Sequence, residues 1–291
     1  MEAPYAWLAL SFFLLGAIKL KKRRSNLELL LQCFYRKKVY LSVFIVLALY
    51  CVNLLIENAS SEKNVYDLLM QLTEFHPLTY TIIPTYLVVL TAHFSLGKMH
   101  HYLAFRCKDK RQWYNLNVSC IAIVTTGYSV LIAFIMLMQS LFVFRFENKW
   151  STFAVDYYTY HATFLMNYSP LVYSIATLLL LWLLLFLLGL LFYVIFIWTK
   201  SPLVSLLFVF LLNIMNAAVT LGKIDTLTPV FFTDRVSIIQ YVYKFDLNQD
   251  SFPYSIFVYW IMLIAVIYLI GWLVIQRVDF ESEKGEKHHA S

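Results

Sequence analysis

Basic residues and long apolar runs alternate along this chain, and no other feature constrains its fold as tightly. Of 23 Lys and Arg, 17 fall in four stretches: 19–38, 98–111, Lys200 and 277–287. The other six (Lys63, Arg145, Lys149, Lys223, Arg235 and Lys244) fall in the stretches between, together with ten of the 17 acidic residues. Basic loops stay on the cytoplasmic side of a membrane protein, so the pattern gives every loop a side. Only 14% of the residues are charged, against about 25% in a soluble domain. The chain reads as an integral membrane protein of the cell membrane with a basic inner face, a mildly acidic outer one and a cytoplasmic C-terminus.

Six segments are long enough to cross: 39–56, 78–96, 118–144, 170–198, 202–221 and 255–275. Lipid offers backbone groups no hydrogen-bond partners, so each must be a helix. A closed barrel is disfavoured because the runs are continuously apolar, with no period-2 alternation. Segment 3–18 is shorter than the roughly 20 residues of a full span. Its positive charges follow the apolar run, the wrong polarity for a cleaved signal, so it is expected to cross as an extra N-terminal helix with the N-terminus outside. Polar Glu28, Gln32 and Arg36 recur every fourth residue in 27–36, the stripe of a helix lying at the inner interface. Thr199-Lys200-Ser201-Pro202 is a tight inner turn that makes its flanking helices a hairpin, because proline at a first turn loses no needed hydrogen bond. Stretch 222–254 is too long for an ordinary loop. Its apolar portion 236–243 and the breakers Pro229 and Pro253 predict one or two short half-buried helices. The expected architecture is thus all-α and polytopic: a helix and basic linker over 1–26, a transmembrane domain over 27–280 and a disordered tail over 281–291.

Chemistry is sparse. The four cysteines make no CxxC pair, and no GxxxxGK[ST], HExxH or GxSxG occurs. No cofactor, metal or enzymatic activity is expected, and nothing in the sequence marks nucleic-acid binding. The six spans as drawn contain no Asp or Glu, whereas ion-coupled pumps keep such a group at membrane depth. His93, with His100 and His101, is expected to face water or headgroups at the interface. Asn213 and Asn216 lie one turn apart, near Thr220; they either line a translocation path or hydrogen-bond between helices, and Gln139 is in the same position. Trp150, Tyr157, Tyr158, Tyr160 and Tyr168 read as an interfacial aromatic belt. A seven-span receptor is disfavoured, since the last span holds no NPxxY and no acidic-Arg-Tyr triplet follows the earlier ones.

The inner stretch Tyr102-Leu-Ala-Phe-Arg106-Cys-Lys-Asp-Lys110-Arg111-Gln-Trp113-Tyr114 runs straight into the third main span. It resembles the cytoplasmic loop before the third span of type-2 ABC exporter permeases of Gram-positive bacteria, where Arg-x-x-x-(Lys/Arg)-Arg-x-Trp precedes a long apolar helix. The close of the chain, Tyr268 to Phe280 with Arg277 and Asp279, is similar to the close of the same family. So is the layout, over 27–280: an interfacial helix, two spans, a basic loop, a tight turn between spans four and five, and a long outer excursion before span six, which in that family holds short outer re-entrant helices. Two features depart from that pattern. Segment 3–18 is extra, and Asp109 stands where relatives often carry a small hydroxyl residue. The resemblance implies a non-catalytic permease subunit. It would export an amphipathic, peptide or lipid-like substrate as a dimer with a second copy or paralogue, driven by a separate ATP-binding subunit. It further implies that Arg106, Lys110, Arg111 and Trp113 contact that ATPase, with helix 27–36 as a second contact. The residues alone fit ordinary positive-inside anchoring to membrane lipids equally well. The alternative function is a membrane scaffold or bacteriocin-immunity-type protein that transports nothing.

Overall fold

The computed structural model describes residues 37–59, 63–95, 109–144, 146–159, 168–223, 235–245 and 252–277. The N-terminal segment 3–18, the helix expected over 27–36, Arg106, the pair His100 and His101, and the tail 281–291 lie outside them. Nearly all of the described residues belong to one compact unit that begins at Val39.

Every regular element among the described residues is helical: α1 (Lys37–Asn58), α2 (Val65–Gln71), α3 (Phe75–Phe94), α4 (Lys110–Ser140), α5 (Thr152–Thr159), α6 (Pro170–Thr199), α7 (Pro202–Thr220), α8 (Ile238–Lys244) and α9 (Ser255–Arg277). Six of them, α1, α3, α4, α6, α7 and α9, are long and apolar enough to cross a membrane. The chain is an all-α, multi-pass membrane protein.

The side-chain distribution explains why lipid must surround it. In α7 the buried stripe is Ser205, Val209, Asn213, Asn216 and Ala217, while Leu203, Leu207, Phe208, Leu211 and Ile214 face outward. A helix in water has the opposite polarity. On α9, Val258, Ile261, Met262, Val266, Leu269 and Leu273 are all exposed, an apolar face far beyond what a soluble monomer shows to water.

Helix α6 is the axis of the bundle. It is apolar around its whole circumference and buried from Leu183 to Leu190, as such a helix must be. It packs on α4, α7 and α9, and more lightly on α2 and α3. Ser169 caps its first turn by accepting from Val172 N, and Pro170 opens the helix. Lys200 ends it in the left-handed region (φ 55°), its N–H bonded to Phe196 O at 2.8 Å. Ser201 then caps α7, which starts at Pro202. The expected hairpin is therefore made by a left-handed C-cap, Lys200, followed directly by the N-cap Ser201.

Helix α4 begins at Lys110, eight residues before the expected start of that span. Asp109 makes the difference: its carboxylate accepts from Gln112 N and caps the first turn. Lys110, Arg111 and Trp113 thus stand on the spanning helix itself. Aspartate is among the good N-cap residues.

The two ends of the bundle differ. One, which we call the basic end, carries the N-terminus of α4, the C-terminus of α9 and the α6–α7 turn. At the other, α2 is a buried plug against α4 and α6, with Val65–Met70 all inaccessible. Asn64 and Asp67 form its capping box, and Asn64 Nδ2 also donates to Lys149 O at 2.7 Å, clipping α2 to the stretch before α5. Between α7 and α9 lies α8, and in and just before it Val236, Ile238, Tyr241 and Val242 are buried. There Arg235 lies 4.0 Å from the Tyr259 ring and 4.6 Å from the Phe245 ring, and its carbonyl accepts from Trp260 Nε1.

Candidate functional site

Two constellations bring chemistry-bearing residues together. The first is at the basic end, where α4 is clamped to α9. Tyr114 OH donates to Tyr268 O at 2.9 Å, Tyr268 OH donates to Asn115 Oδ1 at 2.7 Å, and Lys110 Nζ donates to Gln276 O at 3.2 Å. The clamp depends on Gly271. A Cβ there would collide with the Tyr114 hydroxyl and lie 2.8 Å from Val194 Cγ2, so only glycine lets Tyr114 reach the α9 backbone. Tyr193 of α6 sits beneath, its ring 5.8 Å from Tyr114, 6.0 Å from Trp113 and 5.4 Å from Phe94. Four helices meet in this aromatic block, and a force on the first turn of α4 reaches all of them without passing through a loop.

The residues grouped by the sequence divide here. Arg111 is exposed and Lys110 is half-buried over the end of α9, while the Trp113 side chain is buried against Tyr193. Of these three, Arg111 alone presents its side chain fully at the surface. His93, expected at the interface, is also buried, with its ring 5.2 Å from that of Phe94. Among the described residues no three His, Cys, Asp or Glu are grouped as a metal would require.

The second constellation surrounds an irregular turn in α3. Ile83 N–H reaches back five residues to Leu78 O, so Leu78–Ile82 is a π-turn. The next donor along the chain would be residue 84, which is proline and has no N–H. The carbonyl of Thr79 is thereby released from the ladder, and Asn213 Nδ2 of α7 donates to it at 3.0 Å. From the other side Tyr128 OH of α4 donates to Ile82 O at 2.8 Å and lies 2.6 Å from Thr85 Oγ1. One turn on, Tyr86 OH is 2.7 Å from Thr125 Oγ1. Tyr86 fits there because Gly189 of α6 has no Cβ, which would come within 2.6 Å of its hydroxyl.

Asn216 is wholly buried one turn beyond Asn213, and Thr220 Oγ1 donates to its carbonyl. Gln139 is tied elsewhere: its Nε2 donates to Ala48 O of α1 at 3.3 Å. The α3 members of this site escaped sequence reasoning. Pro84 inside an apolar run was their signal, because proline in a helix interior frees a carbonyl, and π-turns are frequent at functional sites.

No known protein family matches this chain, and no solved structure does.

Proposed function

We propose that this chain is the non-catalytic membrane subunit of an ABC exporter. It moves an amphipathic, peptide or lipid-like substrate across the cell membrane, with energy from a separate ATP-binding subunit and with a second permease copy or paralogue as its other half. The basic end faces the cytoplasm, and Asn213 and Asn216 lie on the substrate path. Arg111, with Lys110 and with Arg106 just before the helix, contacts the ATP-binding subunit; Trp113 anchors that turn from inside.

One observation carries this reading: the exposed cation Arg111 stands on the first turn of a 31-residue helix whose base is clamped to α9 and stacked on α6. A permease must turn closure of an ATPase into tilting of helices, and that needs a contact joined stiffly to the spans. Plain positive-inside anchoring requires only charge near headgroups. It has no use for Tyr114 OH reaching into a notch at Gly271. The scarcity of acids at membrane depth supports an external energy source.

Affinity purification from the native membrane in mild detergent, followed by mass spectrometry, tests the proposal. A stoichiometric ATP-binding subunit in the eluate is the expected result. An intact, monodisperse protein that elutes without one would overturn the permease reading in favour of the scaffold.

A further inference from the structure

We infer that the π-turn of α3 is a two-register latch. Asn213 of α7 and Pro84 hold it in its wide register, and its release turns the start of α3 and carries the plug α2 with it. The latch involves α2, α3 and α7 and is independent of the permease reading.

Pro84 has no N–H, so one carbonyl of α3 goes without a helical donor in either register. In the wide register it is Thr79 O, five residues before the proline. In the ordinary register it would be Tyr80 O, four residues before the proline, and the proline ring would crowd that same carbonyl. Asn213 Nδ2 meets Thr79 O at 3.0 Å. Both residues are buried, where an unmet carbonyl is costly. In the ordinary register Ile83 N–H would return to Thr79 O, and the amide would add a second bond to a carbonyl already met. The Asn213 bond therefore counts for more in the wide register, and a contact biases a two-state element by just such a difference.

The two sides of the turn are held unequally. Beyond it α3 is pinned to α4: Tyr128 OH donates to Ile82 O at 2.8 Å, and Tyr86 OH is 2.7 Å from Thr125 Oγ1. Before it lies the single helical turn Phe75–Pro77, which Leu72, Thr73 and Glu74 join to α2. Leu78 N donates to Glu74 O at 3.1 Å, so the link is bonded into α3. Winding the turn into the ordinary register rotates what precedes it by roughly one residue's angle, about 100°, and the three-residue link passes that rotation to α2. The plug is seated in the wide register, and a movement of α7 that withdraws Asn213 releases it.

The test reads the register by thiol labelling of the full chain in lipid nanodiscs, with the four native cysteines changed to alanine. Single cysteines replace Phe75, His76 and Pro77, which are half-buried, exposed and buried in turn, and a water-soluble maleimide reports each. In the wide register the labelling maximum is at 76. Asn213→Leu removes the donor to Thr79 O, and Pro84→Ala removes the ring and gives Tyr80 O an N–H. Each is expected to move the maximum by one position, to 75 or 77. A maximum that stays at 76 in both variants overturns the latch. A shift in Pro84→Ala alone overturns it too, because α7 would then have no hold on the register. Unfolding labels all three positions alike; if Asn213→Leu does that, Asn213→Ala takes its place. A cysteine at Met70, 5% exposed within the plug, is expected to label faster in the shifted variants. An unchanged rate there would overturn the link between latch and plug.

Discussion

Tyr114, Gly271 and Tyr268 show how few atoms decide the packing at the basic end. The Tyr114 hydroxyl occupies the space that a Cβ on residue 271 would take, and from there it donates to Tyr268 O. Gly271→Ala must push Tyr114 out of its bond, an overpacking that costs about 1–3 kcal/mol. Tyr114→Phe removes the colliding oxygen, so Gly271→Ala should cost clearly less in that background. Thermal unfolding of the two single variants and the double variant checks this. Strictly additive effects would mean that the close approach carries no energy. Little of the notch could be read in advance, because a lone glycine in an apolar run does not reveal what fills the space beside it. Pro84 is different. Its missing N–H was legible, but the helix that answers it, α7, lies about 130 residues away along the chain, and sequence spacing cannot pair them.

At the scale of elements, the spans were legible because apolar runs must be helices in lipid, and all six are present. Their ends were less so. The polar first two turns of α4 look like loop until Asp109 is recognised as a cap. The plug α2 went unread because seven residues carry too little periodicity to stand out, although Asn64 and Asp67 hold a capping-box spacing. That box makes a prediction. Asp67 is 1% exposed, and burial raises its pKa above the ordinary carboxylate value, opposed in part by Ser151, the Asn64 backbone and Lys63. Between the ordinary and the raised value the folded chain holds a proton that the unfolded chain has lost. Stability therefore falls as pH rises through that window and levels off above it. Asp67→Asn can still accept from Asn64 N and has no proton to lose. Its unfolding temperature, measured against pH upward from about 4, should lack this component of the wild-type decline. Parallel curves for the two proteins would show that Asp67 does not titrate in the folded state as described.

The described helices from Val39 onward form a bundle with α6 as its axis and two unlike ends. One end is stoppered by α2 and clipped through Asn64 to Lys149 O. The other gathers Lys110, Arg111, Lys200 and Arg277 above an aromatic block that joins α3, α4, α6 and α9. Charge alternation foretold that the ends would differ. It could not say that Lys110 would be engaged by Gln276 O while Arg111 stays exposed, since that depends on where α9 ends against α4. The distinction makes Arg111 the cleaner probe: Lys110→Glu also breaks an internal bond, whereas Arg111→Glu changes only the presented charge. Docking of an ATPase at the basic end is tested most directly by the yield of co-purified ATP-binding subunit for wild type, Arg111→Glu and a control, Lys223→Glu, at the opposite end. Arg111→Glu is expected to lose most of its partner while keeping wild-type elution and unfolding temperature, and Lys223→Glu to keep it. Full retention by a folded Arg111→Glu protein would contradict the assignment of the basic end as the docking surface.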